Sequence, residues 1–455
     1  MTAFLWNARD VTRALGLPAA SWVHDYTGVS TDTRTLKAGE LFVALKGEHF
    51  DAHDFLSDAR WADVGGVIVR TGTPRWPGFD WFEVDDTLVA LGKLARFRRD
   101  NFRGPVVAIT GTTGKTSTKE LTAAALGAKY RVHRSEGNLN NLVGVPLTVL
   151  ALPVEAEAAV IECGASVPGE IPRQRDIVRP DVAVVTTVDA GHLEGFGSLE
   201  KLFEEKVSLL NGAATAVVGT APPDLAAAAR RKAKKVVTAG LAGADWTADD
   251  VRLLPDGCAR FTVRGVQIEL SLPGRHMVAN ALVALAVADA VGVPVSVAGP
   301  ALAAAHLPAG RSEILELDGS AVINDTYNAN PSSFAAALDL LGAIRGSRRA
   351  VVVAGTMREL GARSAELHRR VAEQIAAAKP DVVAAIGEFV PAFEGLKGTL
   401  QATLLSGATP EAVAAQLKDK LQKGDVVLLK ASRGVRLETI IPLLWPSHQA
   451  SEAHA

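Results

Sequence analysis

The sequence PVVAITGTTGKTSTKE, residues 105–120, contains the most informative pattern of this chain. Its first part, PVVAIT, has the apolar composition of a buried strand, and the residues beyond the glycine-rich turn continue into KELTAAALGA, which is typical of a helix. A strand, a glycine-rich loop and a helix in this order bring backbone N–H groups and the positive end of a helix to phosphate oxygens. The pattern therefore predicts a phosphate-binding loop.

The residues of this loop have separate expected roles. Lys115 would neutralise terminal phosphates and the Thr116 hydroxyl could hold Mg²⁺, while further nucleotide contacts are expected from Gly111, Thr112, Thr113, Gly114 and Ser117. Ile109 stands where the strict eight-residue pattern has its first glycine, so the match is to a shorter G-x-x-G-K-T form. The alternative is a tight turn with a surface lysine. The loop alone does not separate a ligase from a kinase, a GTPase or a regulatory ATPase.

Length, composition and charge limit the number of domains, the kind of ligand and the compartment that can be expected. A chain of 455 residues exceeds a single core and predicts about three domains. A formal net charge of −2 gives no broad basic surface for nucleic acid, so we expect small ligands held in local pockets. Two cysteines are too few for a disulfide framework, and the N-terminus lacks the apolar core of a signal peptide. We expect a cytoplasmic monomer without membrane insertion.

Apolar strand-like runs stop, and charged or Gly/Pro-rich connectors begin, at two places in the chain. We therefore divide it into residues 1–86, 87–311 and 312–455. Apolar runs bounded by turn residues predict strands at 40–45, 65–69, 105–110, 158–163, 181–188, 321–325, 349–355, 381–387 and 425–432. Helical spacing in DTLVALGKLARFRRDNF predicts a helix that leads from the first segment to the second. The expected fold class is α/β, with a mostly parallel sheet in the second segment and a doubly wound, Rossmann-like unit in the third.

The longest apolar stretch covers residues 281–305. It is interrupted by Asp289, Gly292, Pro294 and Pro300, which a membrane span of about 20 residues would tolerate poorly. We interpret it as a buried helix followed by a strand.

Three more residues are candidates for metal binding or chemistry, each with a plainer alternative. Glu162 ends the run AAVIEC, where a carboxylate emerges beside the phosphate loop and could ligate Mg²⁺, or serve as a cap or ion-pair partner. His192 lies in a loop after a strand, where histidines are usually structural or solvated. Lys206 lies in a helical pattern that by itself predicts a solvated lysine.

The order of several motifs carries a family resemblance. From the phosphate loop onward the chain contains GTTGKTST (111–118), NLNNLVGVP (138–146), IECGAS (161–166), TTVDAGHLEGFGSLEKLFEEK (186–206), GRHMVAN (274–280), AGRSE (309–313) and NDTYNANPSS (324–333). This order resembles the bacterial Mur ligase family. GTMRELGARSAELH (355–368) and NDTYNANP resemble the member that adds D-alanyl-D-alanine, and residues 31–55 resemble a uridine-diphosphate-binding domain.

The resemblance implies a three-domain enzyme with a small uridine-diphosphate-binding domain, a central P-loop ATPase domain and a C-terminal Rossmann-like domain. It implies that ATP, with Mg²⁺, converts the terminal carboxylate of UDP-N-acetylmuramoyl-tripeptide to an acyl phosphate, which the amine of D-alanyl-D-alanine attacks. Two alternatives stay open. One is the tripeptide-forming Mur ligase, whose DYAHTP-like and DNPR elements are absent here; the other is a regulatory P-loop ATPase.

Roles at the ATP site follow from the same resemblance. Thr116, Glu162 and His192 resemble Mg²⁺ ligands or their neighbours, and Lys206 resembles a carbamylated lysine whose carbamate offers oxygens to a second Mg²⁺. The implied catalytic residues are Lys115, His192, Lys206 and Arg311. Asn280 resembles an adenine-reading asparagine, Arg311 an arginine that reaches the γ-phosphate, and Asp325 an acid that binds the ribose. Taken singly, these could be a helix hydrogen-bonder, a linker charge and a turn residue.

Roles at the peptide sites are implied in the same way. The substrate-binding residues are Thr31, Thr33, Arg34 and Lys46 for the uridine diphosphate, Asn138, Asn140 and Asn141 for the muramoyl peptide, and Asn328 and Asn330 for the dipeptide pocket. Two departures stand out. Met277 replaces the family's usual asparagine, so one adenine contact is expected to be missing, and Thr356 replaces a common aspartate.

Overall fold

The structure is a computed structural model that describes residues 3–20, 24–56, 64–76, 78, 80–191 and 193–447. Within these ranges the chain is an α/β protein with three successive sheets that are wholly or mostly parallel, which confirms the predicted fold class. No helix of the described part combines the length and the apolar character needed to cross a bilayer.

The first part contains a two-stranded antiparallel pair and a four-stranded parallel sheet. Its elements are β1 (Trp6–Asn7), α1 (Ala8–Leu15), β2 (Asp25–Tyr26), β3 (Val29–Ser30), β4 (Leu41–Val43), β5 (Gly66–Arg70) and β6 (Asp80–Val84). The parallel sheet has the order β3-β4-β5-β6. The predicted connecting helix is α2 (Thr87–Asp100), which begins where the Asp86 carboxylate accepts the N–H groups of Leu88 and Val89.

The central part is built on a six-stranded parallel sheet with the order β12-β11-β10-β7-β9-β8. Its strands and helices are β7 (Val106–Thr110), α3 (Lys115–Gly127), β8 (Val132–Arg134), α4 (Gly144–Leu150), β9 (Ala158–Glu162), α5 (Glu170–Val178), β10 (Val182–Val185), α6 (Leu193–Phe196), α7 (Leu199–Val207), β11 (Thr215–Val218), α8 (Leu225–Arg230) and β12 (Lys235–Thr238). Val106 and Ala108 pack into one hydrophobic core, and Val107 and Ile109 into another. Side chains alternate across a strand, so the sheet is covered on both faces, as a parallel sheet requires.

An antiparallel sheet and two helices follow in the central part. They are β13 (Asp249–Leu253), β14 (Cys258–Val263), β15 (Val266–Pro273), α9 (Arg275–Ala290) and α10 (Val295–Ala301). The predicted buried helix in residues 281–305 is confirmed, but the predicted strand after it is wrong, because that segment is α10. The β-branched valines suggested a strand, yet the segment packs on α3 and β15 without a strand partner, and Pro294 stands at the helix start.

The C-terminal part has a six-stranded sheet with the order β16-β17-β21-β18-β19-β20, parallel except for β16. Its elements are β16 (Glu313–Leu317), β17 (Ser320–Asp325), α11 (Pro331–Arg345), β18 (Ala350–Ala354), α12 (Ser364–Ala377), β19 (Val382–Ile386), α13 (Phe389–Glu394), β20 (Thr403–Gly407), α14 (Pro410–Leu417), β21 (Val426–Lys430) and α15 (Ile440–Leu444). The four predicted strands of this part are confirmed. The antiparallel edge strand β16 and the strand β20 were not predicted.

Candidate active site

One cavity of about 840 Å³ lies between the central and C-terminal parts. The central sheet contributes the loops after β7, β9 and β10, and the C-terminal sheet contributes the ends of β17 and β21. Ligands of open parallel sheets bind outside the carboxyl ends of the strands, which is where this cavity lies. The predicted residues that line it are Thr112, Thr113, Gly114, Lys115, Thr116, Ser117, Asn138, Asn140, Asn141, Glu162, Asn280, Arg311, Asp325, Asn328 and Asn330.

The phosphate loop needs its glycines for two different reasons. Gly111 has φ +146°, and a Cβ there would lie 2.1 Å from Thr186 Oγ1. Gly114 has φ +84°, in the left-handed region, and stands immediately before α3. Lys115 Nζ donates to the carbonyls of Gly111 and Thr112 at 2.9 and 3.1 Å, so the lysine folds over the loop. The loop residues Thr112 to Ser117, with the Lys115 ammonium folded over them, therefore line one side of the cavity.

Thr116 and Glu162 form the candidate magnesium site. The Thr116 hydroxyl donates to Glu162 Oε2 at 2.9 Å, and Asn140 Nδ2 donates to Glu162 Oε1 at 2.8 Å. Hydroxyl and carboxylate oxygens are ligands that Mg²⁺ prefers. Within the described residues no group of three or more histidine, cysteine, aspartate or glutamate side chains is placed to hold a metal. His192, predicted as a ligand, lies outside the described residues.

Lys206 is fully buried behind the wall of the cavity. Its Nζ donates to the carbonyl of Ala165, a lining residue, at 3.4 Å. Burial, and then repulsion from Lys115, lowers the pKa of Lys206 to about 7. The pattern-based expectation of a solvated lysine is therefore wrong, because the apolar core around α7 encloses the side chain. A substantial fraction of the amine is neutral near pH 7.

Arg311 and Asp325 lie on the C-terminal side of the cavity. The Arg311 guanidinium carbon lies 3.8 Å from the centroid of the Tyr327 ring. Asp325 Oδ1 accepts the N–H of Ser312 at 3.0 Å, and Asp325 Oδ2 lies 2.5 Å from Lys430 Nζ. Burial lowers the pKa of Lys115; Glu162 opposes that effect and Arg311 adds to it. Lys115 and Arg311 thus place two positive charges on the lining of one cavity.

Asn280 packs directly on the phosphate loop. A Cβ on Gly114 would lie 2.7 Å from Asn280 Oδ1, and Asn280 Nδ2 lies 3.8 Å from the sulfur of Met277. Met277 is buried, so at this position a thioether replaces the amide of the family pattern. The neighbouring His276 lines the cavity, and within the described residues its Nδ1 is buried without a hydrogen-bond partner.

The C-terminal part touches the phosphate loop through the start of α11. Asn330 Nδ2 donates to Thr113 Oγ1 at 3.0 Å, and Ser332 Oγ lies 3.2 Å from the same hydroxyl. Asn330 also caps α11, since its Oδ1 accepts the N–H of Ser333. Asn328 lines the cavity, and its carbonyl accepts from Lys430 Nζ at 3.1 Å.

The predicted uridine-diphosphate residues lie in the first part of the chain and do not line this cavity. Thr31, Thr33 and Arg34 follow β3, and Lys46 follows β4, so all four lie near the carboxyl ends of adjacent parallel strands. The exposed Arg34 guanidinium pairs with Asp32 at 2.7 Å. Their proposed contacts to uridine diphosphate stay a prediction.

Several cavity residues lie in recognised motifs but were not predicted as site residues. Tyr327, Ser332 and Glu359 line the cavity, and Lys430 lies at its C-terminal side. Lys430 and Asp325 are register partners at the ends of β21 and β17, but that adjacency is invisible while the strand order is unknown. Glu359 has φ +65°, which is rare for a residue with a side chain and could not be inferred from its neighbours. Thr356 points away, because its hydroxyl accepts the N–H of Glu388 at 3.1 Å.

Comparison with known proteins agrees with this geometry. Residues 109–288 match the Mur ligase middle domain, and residues 310–433 match the Mur ligase, glutamate ligase domain. The UDP-N-acetylmuramoyl-tripeptide--D-alanyl-D-alanine ligase of Bacillus subtilis is 36% identical over 426 residues, which cover 91% of this chain and 92% of that protein.

The chain belongs to the Mur ligase family.

Further relatives of this Mur ligase carry the same ligase name or are MurF structures. The ligase of the same name from Escherichia coli is 36% identical and covers 91% of this chain and 93% of its own length. Crystal structure I of MurF from Acinetobacter baumannii superposes with a TM-score of 0.88 at 29% identity, over 98% of this Mur ligase and 100% of that chain. MurF ligase from Thermotoga maritima in complex with ADP superposes with a TM-score of 0.82 at 30% identity, over 93% and 98% of the two chains.

Proposed function

We propose that this Mur ligase uses ATP to join D-alanyl-D-alanine to UDP-N-acetylmuramoyl-tripeptide, forming the pentapeptide precursor of peptidoglycan. The observation that carries the proposal is the cavity in which the phosphate loop of the central domain meets the C-terminal domain, with Asn330 hydrogen-bonded to Thr113. It stands in a chain 36% identical over 426 residues to a ligase of that name. The domain limits at residues 86 and 311 belong to the same proposal.

The proposed reaction has two steps. A carboxylate oxygen of the tripeptide attacks the γ-phosphorus of ATP, ADP leaves, and an acyl phosphate forms. The amine of D-alanyl-D-alanine then attacks the acyl carbon, phosphate leaves, and the nitrogen loses a proton as the amide forms. Bringing a carboxylate to a triphosphate concentrates negative charge. Lys115 and Arg311, which face the cavity from opposite domains, supply the positive charge that such a transition state needs.

Mg²⁺ fits the residues beside the phosphate loop. Thr116 Oγ1 and the Glu162 carboxylate offer adjacent hard oxygens, and Asn140 fixes the second carboxylate oxygen. When bound there, the ion would neutralise the phosphate charge. We infer that Thr116 and Glu162 hold it, with His192 as a further candidate outside the described residues.

Lys206 suits a carbamate. A neutral lysine amine adds carbon dioxide and loses a proton, which leaves an N-carboxylate. The reaction needs an unprotonated amine, and the buried Lys206 has its pKa lowered to about 7. The modification would replace a buried cation with an anion whose oxygens suit a second Mg²⁺.

The other site residues keep the roles carried over from the family. We infer that Asn280 and Asp325 contact adenine and ribose, although Asp325 is already engaged by Lys430 and Ser312. Asn138, Asn140 and Asn141 would face the muramoyl peptide, and Asn328 and Asn330 the dipeptide, although the Asn140 amide already donates to Glu162 and the Asn330 amide to Thr113. We also infer a monomer in the cytoplasm; the two free cysteines support a reducing compartment.

The test is phosphate release by the purified protein with Mg²⁺, ATP and UDP-N-acetylmuramoyl-tripeptide, with and without D-alanyl-D-alanine, together with the mass of the product. Release that needs both substrates and yields a pentapeptide is the expected result. Lys115→Met is the background control, because it removes the ammonium from the phosphate loop. Release that ignores the dipeptide would favour the regulatory ATPase. Release driven by a single amino acid and the UDP-linked dipeptide would favour the tripeptide-forming ligase.

A further inference from the structure

Arg311 stands in the segment between the central and C-terminal domains, and its backbone is fastened to the C-terminal side. The N–H of Tyr327 donates to the carbonyl of Gly310 at 3.0 Å, and the N–H of Ser312 donates to Asp325 Oδ1 at 3.0 Å. Asp325 ends β17, and Tyr327 follows two residues later. Both neighbours of Arg311 are thus tied to the end of one C-terminal strand, so Arg311 moves with that domain.

The side chain of Arg311 lies on an aromatic ring. Its guanidinium carbon is 3.8 Å from the centroid of the Tyr327 ring, and within the described residues its buried Nε has no hydrogen-bond partner. A planar guanidinium over an aromatic face is held by cation–π attraction and stacking. The contact with the Tyr327 ring therefore fixes the position of the Arg311 guanidinium.

The charge held in this way lines the same cavity as the phosphate loop. Arg311 and Lys115 line the same cavity, and the repulsion between them contributes to the lowered pKa of Lys115. Two cations turned toward one cavity favour a polyanion between them. An arginine without support samples many rotamers, whereas a supported one meets the developing charge without reorganisation.

We propose that Tyr327 is a positioning residue whose ring face holds Arg311 toward the terminal phosphate of ATP. The inference rests on the proposed function and adds to it a residue that acts through another side chain. The ring is needed and the hydroxyl is not. The Arg433 guanidinium carbon lies 5.4 Å from the same ring centroid, so the segment KASRGVRLE (430–438) also adjoins this support.

The ring and the hydroxyl can be separated with two substitutions. Tyr327→Phe keeps the aromatic face, and we expect kcat/KM for ATP within about twofold of the unmodified protein. Tyr327→Leu removes the face, and we expect a loss of about tenfold, the scale of a partly desolvated cation–π contact. Equal values for the two variants would overturn the proposal. If Tyr327→Leu fails to fold, Tyr327→Met replaces it as a variant of comparable length without a ring.

A double-mutant cycle with Arg311→Ala distinguishes positioning from a general structural role. If Tyr327 acts through Arg311, Tyr327→Leu costs little more in the Arg311→Ala background, because the side chain it positions is already gone. Fully additive losses would contradict the proposal.

A binding measurement keeps this inference separate from the proposed reaction. The affinity ratio between the non-hydrolysable analogue AMP-PCP and ADP should fall in both Tyr327→Leu and Arg311→Ala and be retained in Tyr327→Phe. An unchanged ratio in Tyr327→Leu would count against the positioning role. If the unmodified protein shows no dipeptide-dependent phosphate release, the proposed function fails, while this ratio still decides the role of Tyr327.

Discussion

Lys430 Nζ lies 2.5 Å from Asp325 Oδ2 and joins the ends of β21 and β17, two neighbouring strands of the C-terminal sheet. Lys430 is buried, and the Asp325 side chain is 14% exposed. The Asp325 carboxylate also accepts the backbone N–H of Ser312, the residue after Arg311. The ion pair therefore also fixes the segment that carries Arg311. Removing one partner of such a buried pair is strongly destabilising, because it leaves the other charge buried and uncompensated.

Lys430→Met should therefore destabilise the protein by about 3 kcal/mol, because it leaves the Asp325 carboxylate poorly solvated and without a cation. The measurement is urea unfolding followed by circular dichroism. Asp325→Asn in the Lys430→Met background should recover part of the loss, since the buried charge is then gone. The matched control is Arg260→Met, which removes one partner of the exposed Arg260–Glu269 pair and should leave the unfolding midpoint unchanged.

Thr116→Val keeps the shape of the side chain and removes the hydroxyl that contacts Glu162. We expect kcat to fall by roughly 100-fold and the Mg²⁺ concentration for half-maximal activity to rise, as for losses around a metal site. Thr122→Val is the control on the same helix, because the Thr122 hydroxyl is buried and has no hydrogen-bond partner among the described residues. Similar activity of the two variants would exclude Thr116 as a metal ligand.

Lys206→Ala should lose nearly all ligase activity and regain a measurable part when formate or acetate is added, because the small anion can take the place of the carbamate. The measurement is dipeptide-dependent phosphate release across a series of carboxylate concentrations. Lys201→Ala, an exposed lysine on the same helix, should be neutral with and without carboxylate. A fully active Lys206→Ala, or one that no carboxylate rescues, would contradict the carbamate.

His368 predicts a pH dependence of stability. Its Nε2 accepts the N–H of Met357 at 2.9 Å and its Nδ1 faces the carbonyl of Ser364 at 2.8 Å, an arrangement that fits the neutral ring. Burial lowers the pKa of His368 below 6.5, although the hydrogen bond to the Ser364 carbonyl and then the Glu388 carboxylate, 3.6 Å away, oppose the shift. The unfolded chain therefore takes up a proton first as the pH falls. This stabilisation is complete above pH 6.5 and is lost as the pH falls toward the lower folded pKa.

His368→Gln tests this dependence, because its amide oxygen can still accept from Met357 but does not titrate. The unmodified protein should lose unfolding free energy below pH 6.5 faster than the variant does, so the difference between the two should shrink with acidification. The measurement is urea unfolding at several pH values between 5 and 8. A constant difference over this range would show that His368 does not contribute.

The sequence was sufficient for the parts of the molecule that depend on short-range pattern. The phosphate loop, α2 and the long apolar strands follow from periodicity and glycine placement, and their observed ends differ from the predicted ends by a few residues at most. The helix α10 was misassigned because its valines favour a strand locally, while the packing against α3 and β15 decides the outcome.

The contacts that complete the site could not be derived in that way. Asp325 and Lys430 are 105 residues apart, and Thr113 and Asn330 are 217 apart. Each contact depends on the order of strands in a sheet or on the meeting of two domains, and neither leaves a local signal. Lys206 and Arg311 were predicted as site residues from the family resemblance. Only the fold shows that the lysine is buried and that the arginine lies on Tyr327.

The two cations of the proposed nucleotide site belong to different domains. Lys115 belongs to the central domain, and Arg311 is fixed to the C-terminal domain through Gly310 and Ser312. A small molecule wedged between these domains would withdraw Arg311 from the phosphate while leaving the loop around Lys115 open to ATP. Such an inhibitor would lower kcat, and raising the ATP concentration would not displace it. It would need no likeness to a nucleotide, so it could avoid the many other proteins that bind ATP.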